Sequence, residues 1–127
     1  MSYEYAIDSS AWIEYFEGTP KGTKIRKLIE NNEIATSIIA VFELADKFER
    51  EKKDFENCLR FVQSRAEIMP VTVDIALKAA KLKNYIRREK NKFGAADAIH
   101  LATAISQNSV LITSDRDFTG LQNVMVI

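Results

Sequence analysis

Five carboxylates in this chain fall either just past the end of an apolar run or within the first two turns of a helical pattern. Asp8 follows Tyr5-Ala6-Ile7, and Asp115 and Asp117 follow Leu111-Ile112-Thr113. Asp97 falls in the first turn of a helical pattern that opens after Gly94, and Glu43 falls two turns into the pattern after Thr36-Ser37. Carboxylates brought close together repel and raise one another's pKa, so a cluster of them at neutral pH calls for cations. An oxygen-only donor set suits hard divalent ions such as Mg²⁺ or Mn²⁺. An ion of that kind can lower the pKa of a bound water and stabilise the charge that develops when a phosphodiester is cleaved, with one ion or with two.

The elements that must carry these acids alternate. Short apolar runs are read as strands at Tyr5–Ile7, Glu33–Ser37, Ser109–Thr113 and Asn123–Ile127. Glu67–Val71 is read as an edge strand, because its Pro70 has no N–H for a central ladder. A first helix carries Ala11, Ile13 and Phe16, and Asp8, Ser9 and Ser10 can each cap it. Gly18-Thr19-Pro20 breaks the chain before a second helix over Lys21–Asn32. The third is expected to turn one apolar face inward through Ile38, Val41, Phe42, Ala45 and Phe48. Further helices are read from Asp54 to about Arg65, from Thr72 to about Lys92, and from Gly94 through Ile105. Strands separated by helices imply βαβ units, hence one domain with a mostly parallel sheet covered on both faces. Ligands of such sheets sit outside the carboxyl ends of the strands, where these acids fall.

With those placements in hand, the sequence resembles a known family. Tyr5-Ala6-Ile7-Asp8-Ser9-Ser10, Thr36-Ser37 with Glu43 downstream, Ala96-Asp97-Ala98-Ile99-His100-Leu101-Ala102-Thr103-Ala104, and Thr113-Ser114-Asp115-Arg116-Asp117-Phe118 are similar, in order and spacing, to the four motif blocks of PIN-domain ribonucleases. Length and block order further resemble the VapC toxins of toxin–antitoxin pairs. The resemblance implies a three-layer α/β/α sandwich and a Mg²⁺- or Mn²⁺-dependent endoribonuclease. It implies an acidic site of Asp8, Glu43, Asp97 and Asp115, with Asp117 matching the acid before Phe in the last block. Ser9 and Thr113 match hydroxyl positions that orient a carboxylate or a metal-bound water. A cognate VapB-type antitoxin that covers the acidic groove, and a homodimer, are also implied. A PIN nuclease of RNA processing or ribosome maturation is the alternative. A signalling receiver is disfavoured: it needs an acidic pair after the first strand and a Lys after a later one, and this chain has neither.

Each acid also has a plainer reading. Asp8 can be an N-cap worth ~1 kcal/mol, Asp97 can complement a helix dipole, and Asp115 and Asp117 can build a turn. Glu43 with Lys47 at i,i+4 can be a solvated ion pair. His100, the one histidine, is read as a packed, hydrogen-bonded side chain, and Trp12, Tyr15 and Phe16 as packing residues. Cys58 stands alone, so no internal disulfide forms and a reducing, cytoplasmic setting is expected. Neither a leader pattern at Met1–Tyr5 nor a membrane-length apolar run is present.

The charge balance, 18 Lys+Arg against 18 Asp+Glu, at first disfavours a nucleic-acid partner. Setting the five acids aside leaves 13 against 18, a basic surround. Arg87, Arg88, Lys90 and Lys92, in a basic run just before the Asp97 helix, and Arg116 are the candidates for holding RNA phosphates.

Overall fold

A computed structural model describes residues 3–127; Met1 and Ser2, where the leader reading begins, lie outside them. Strand β1 (Tyr5–Ile7) leads into α1 (Ser9–Glu17) and α2 (Pro20–Asn31), then β2 (Ile34–Ser37), α3 (Ile38–Arg50), α4 (Glu56–Arg65) and β3 (Ala66–Met69). The second half runs α5 (Val73–Ile86), α6 (Ala95–Ser106), β4 (Val110–Thr113), a 3₁₀ turn (Arg116–Phe118) and β5 (Val124–Val126). Every strand pairing is parallel, in the order β3-β2-β1-β4-β5. The expected α/β/α sandwich is thus observed, and β3, the strand followed by Pro70, is an edge as predicted.

Alternation along the central strands builds the layers. In β1, Ala6 turns toward a core made by α5 and α6 with Phe93 and Phe118, while Ile7 turns to the other face with Trp12, Ile25, Ile29 and Leu44. In β4, Leu111 and Ile112 divide in the same way. Small residues set the close approaches. Gly18 closes α1 in the left-handed conformation at φ 67°, which glycine adopts without steric cost. Thr19 caps α2, and Pro20 opens it. A Cβ on Gly22 would stand 2.1 Å from the Glu14 carbonyl oxygen, so only glycine lets α2 cross α1 this closely.

Two helical expectations are corrected. In α3 the stripe that turns inward is Ala40 and Leu44, both fully buried, while Ile38 is 43% and Phe42 64% exposed. Apolar residues lie on more than one side of this helix, and spacing alone does not say which side meets the sheet. The helix expected to reach Lys92 ends at Ile86, the last residue there with a core to enter. Beyond it, the polar run Arg87–Lys92 has no apolar side chain to bury. The Arg87 guanidinium instead donates to the Phe93 carbonyl at 3.3 Å.

Candidate active site

The strand order reverses direction between β1 and β4, and in open parallel sheets this switch point is where a crevice opens at the carboxyl ends. Asp8 follows β1, and Asp115 stands two residues past β4. The two strands are in register through Ile7 and Ile112, and the Asp8 N–H donates to the Ile112 carbonyl at 3.2 Å. Glu43 reaches the same edge from α3, and Asp97 from the first turn of α6.

Each of the four acids commits one oxygen to the fold. Asp8 Oδ1 accepts from the Ala11 N–H at 2.9 Å, which caps α1, and from the Ser10 hydroxyl at 2.7 Å. Asp97 Oδ2 accepts from the Gly94 N–H at 2.9 Å, half of a capping box. Asp115 Oδ1 accepts from the Asp117 N–H at 2.9 Å and starts the 3₁₀ turn. Glu43 Oε1 accepts from the Ser9 hydroxyl at 2.9 Å and pairs with His100 Nε2 at 2.7 Å. The second oxygens of Glu43, Asp97 and Asp115 have no hydrogen-bond donor among the described residues. The plainer readings of Asp97 at a helix start and of Asp115 in a turn therefore describe one oxygen of each and leave the other available, whereas the buried Asp8 carboxylate is held by Ser10, Thr113 and the Ala11 N–H.

Glu43 departs from its plainer reading. Lys47 pairs with Glu51 at 2.5 Å, and Glu43 turns inward to α1 and α6. A carboxylate has no proton to give, so Nε2 of His100 carries the hydrogen. That nitrogen is thereby unavailable to a metal.

The electrostatics register the crowding. Burial pushes the Asp8 carboxyl above the ordinary carboxylate range, although the His100 charge and hydrogen bonds from Thr113, Ala11 and Ser10 oppose it. Asp97 is raised as well, first by burial; the Gly94 bond and His100 lower it, and the charges of Asp115 and Glu43 add to the rise. Burial would raise Glu43 too, but its hydrogen bond to His100, the His100 charge and the Ser9 hydroxyl outweigh this and leave it lowered. Asp97 on α6 thus feels the charges of Glu43 on α3 and of Asp115 after β4. Asp117 joins them through its backbone N–H.

The hydroxyls divide their work. Ser9 and Thr113 stand out in the sequence; Ser9 holds Glu43, and Thr113 Oγ1 accepts from the Asp115 N–H at 3.0 Å. Ser10, which the sequence marks only as a possible cap, does more. It bonds Asp8 Oδ1, meets Thr113 Oγ1 at 3.1 Å and accepts from the Ser114 N–H at 3.0 Å. Its position two after Asp8 is the signal that points to it, just as i,i+3 spacing on one helix face joins His100 to Asp97.

As a metal centre, the donor set fits in kind. It is all oxygen, and the second oxygens of at least three carboxylates are free. Among the described residues no three acid or imidazole groups stand close enough to enclose an ion unaided. Mg²⁺ keeps several waters and is commonly held through one or two carboxylates, so a spread set of this kind suits it better than an ion that needs a full protein cage.

Among the described residues, the side chains of the basic candidates form no hydrogen bond or ion pair with these acids. Arg87, Arg88, Lys92 and Arg116 are exposed, and Lys90 is half-buried. The Arg88 guanidinium lies 5.3 Å from the Tyr85 ring centre, at the rim of a cavity of about 220 Å³ that Ile86, Lys90 and Leu121 also line. Arg116 directly follows Asp115. Trp12 is fully buried and donates its indole N–H to Thr36 Oγ1 at 3.1 Å, so it packs and does not face the crevice.

An α/β/α protein with aspartates just past the carboxyl ends of the two central strands of a five-stranded parallel sheet is the class that fold and site define. The family model of the PIN domain matches residues 5–123, and the chain belongs to the PIN-domain family. Among solved structures, it is similar to a toxin–antitoxin complex from Klebsiella pneumoniae at 27% identity and a TM-score of 0.75, with 97% of each chain covered. VapBC2 from Rickettsia felis, bound to a DNA fragment from its promoter, superposes at 22% identity and 0.75, covering 97% of this chain and 96% of that one. VapC20 from Mycobacterium tuberculosis, described as a sarcin-ricin loop cleaving toxin, superposes at 16% and 0.71, covering 94% and 95%. No curated protein matches the chain. Among the described residues, no helix is long and apolar enough to cross a membrane.

Proposed function

We propose that this PIN domain is a Mg²⁺- or Mn²⁺-dependent endoribonuclease, the toxin of a type II toxin–antitoxin pair, held inactive in the cytoplasm by a VapB-type antitoxin. The observation that supports the reading is that Glu43, Asp97 and Asp115, from three separate segments, each keep one carboxylate oxygen without a donor among the described residues, while Asp97 feels the charges of the other two. The similarity to a toxin–antitoxin complex at 27% identity over 97% of both chains favours the toxin reading and the antitoxin partner.

In this reading Asp8, Asp97 and Asp115, with Glu43, hold the cation, and Asp117 buttresses Asp115. When bound, a divalent ion supplies an activated water and neutralises the charge that builds on the scissile phosphate. The chain's own residues do the positioning. Ser9 orients Glu43, while Thr113 and Ser10 tie the end of β4 to Asp8. Arg116, Arg87, Arg88, Lys90 and Lys92 attract the RNA backbone by salt-sensitive contacts. A homodimer belongs to the same reading, and the exposed apolar side chains of Ile38, Phe42, Val73 and Leu77 favour it.

The test is incubation of the purified protein with structured RNAs, with and without Mg²⁺ or Mn²⁺, beside Asp97→Asn. The asparagine keeps an oxygen for the Gly94 N–H, so the fold is expected to survive while cation-dependent cleavage is lost. Cleavage by Asp97→Asn at the wild-type rate would sink the assignment.

A further inference from the structure

His100 sits at the centre of the acidic network without being an acid. It is 3% exposed on α6, one turn past Asp97, and its Nε2–H meets Glu43 Oε1 of α3 at 2.7 Å. The Ser9 hydroxyl of α1 meets the same oxygen at 2.9 Å, so two donors from two helices converge on Oε1, and Oε2 has none among the described residues. Glu43 is otherwise poorly restrained: it is a three-torsion side chain on a helix, one third exposed, with no ion-pair partner on its own helix. A buried imidazole that meets one oxygen of a carboxylate fixes which oxygen faces outward.

We propose that His100 is a positioning residue for the acidic centre: its Nε2–H holds Glu43 through Oε1 and so presents Oε2 to the cation. This rests on the reading of the crevice as a divalent-cation site. Residues that orient metal ligands in this way typically change metal affinity by about 10- to 100-fold when removed.

Two amides separate positioning from packing. The side-chain nitrogen of glutamine falls where Nε2 of histidine stands, whereas that of asparagine falls at the Nδ1 position and cannot reach Glu43. The measurement is Mn²⁺ affinity by titration calorimetry, on full-length protein whose fold is checked by circular dichroism. His100→Asn is expected to weaken Mn²⁺ binding by about tenfold, and His100→Gln by less than about threefold. In a Glu43→Ala background, His100→Asn should weaken binding no further, because the carboxylate it acts through is gone.

A readout on the metal-free protein complements these. In nitrogen-15 spectra of the wild type, the imidazole should carry a slowly exchanging proton on Nε2, and Glu43→Ala should make that proton exchange fast. This second measurement decides the matter should His100→Asn fail to fold. Equal Mn²⁺ affinity for wild type and His100→Asn, an undiminished His100→Asn effect in the Glu43→Ala background, or an Nε2 proton indifferent to Glu43→Ala would each overturn the proposal. A wild-type protein that binds no Mn²⁺ would remove the cation-site reading first, and this inference with it.

Discussion

Ser10 and Thr113, 103 residues apart in the chain, bring their hydroxyls within 3.1 Å of each other at the carboxyl ends of β1 and β4. The pair closes the switch point from both sides. Ser10 also donates to Asp8 and accepts from the Ser114 N–H, and Thr113 accepts from the Asp115 N–H. A short chain of hydrogen bonds thereby links the two aspartates that follow the two central strands, and sets their spacing before any ligand arrives.

Ser10→Ala removes the centre of that chain. It leaves the Ser114 N–H without its acceptor and Asp8 Oδ1 with one donor in place of two. The expected loss is about 1–3 kcal/mol of stability. Urea unfolding should show a lower midpoint at an unchanged slope. A midpoint equal to wild type would mean that water takes over these bonds at no cost.

Asp8 gives a pH dependence with a definite sign. Its carboxyl is raised in the folded protein, chiefly by burial. The folded state therefore holds the proton more tightly than the unfolded chain, and stability falls as pH climbs through the folded pKa. Asp97 acts in the same direction, while Glu43, lowered, contributes stability above the ordinary carboxylate range that is lost on acidification. Asp8→Asn isolates the first effect, since its amide oxygen still accepts from Ala11 and Ser10. In EDTA, the substitution is expected to stabilise the protein near pH 7, and the gain should shrink toward zero near about pH 4, where aspartate is half protonated in the unfolded chain. Denaturation curves at the two pH values check it. A gain that persists unchanged at pH 4 would locate its cause outside the carboxylate charge.

Asp8 and Asp115 can be placed from sequence because short apolar strands and alternating helices dictate a parallel sheet, and a parallel sheet dictates where its loops gather. Which atoms those acids touch cannot be placed that way. The bond between Glu43 and His100 depends on how α3 packs against α6 across 57 positions, and no local pattern encodes that. For the same reason Lys47 looks like Glu43's partner in the sequence, although it turns to Glu51. Ile38 and Phe42 fall on the expected core stripe because helical spacing marks an apolar face without saying which neighbour covers it. The end of α5 at Ile86 is invisible in the sequence because a basic run is compatible with helix in isolation, and it is the end of the core that stops it.

Cation binding should be visible as stability. An ion that binds the folded crevice and not the unfolded chain stabilises by about 2.7 kcal/mol at one hundred times its dissociation constant. For a domain of this size that amounts to a rise of several degrees in melting temperature. Mn²⁺ should raise the wild-type melting temperature near pH 7. The rise should be smaller at about pH 4, where protons compete for the carboxylates, and smaller again in Asp97→Asn. An equal rise in wild type and Asp97→Asn would point to a cation site elsewhere on the chain.

The basic residues make a prediction that separates binding from chemistry. If Arg88 and Lys90 hold RNA phosphates, replacing both with alanine should weaken RNA binding by a similar factor whatever the sequence, and should flatten the salt dependence. Removing one phosphate-neutralising side chain from a single-strand complex lowers the slope of log affinity against log salt by about 0.7. Binding is best measured by fluorescence anisotropy in EDTA, so that no substrate is consumed, across a range of potassium chloride concentrations. Arg88 also rests on the Tyr85 ring, which is 69% exposed, so Tyr85→Ala is the useful companion. A base stacked on that ring would be lost with Tyr85, at about 1–3 kcal/mol and with little change in salt slope. Unaltered affinity and slope in Arg88→Ala/Lys90→Ala would move the RNA path off the end of α5 and toward Arg116, which directly follows Asp115.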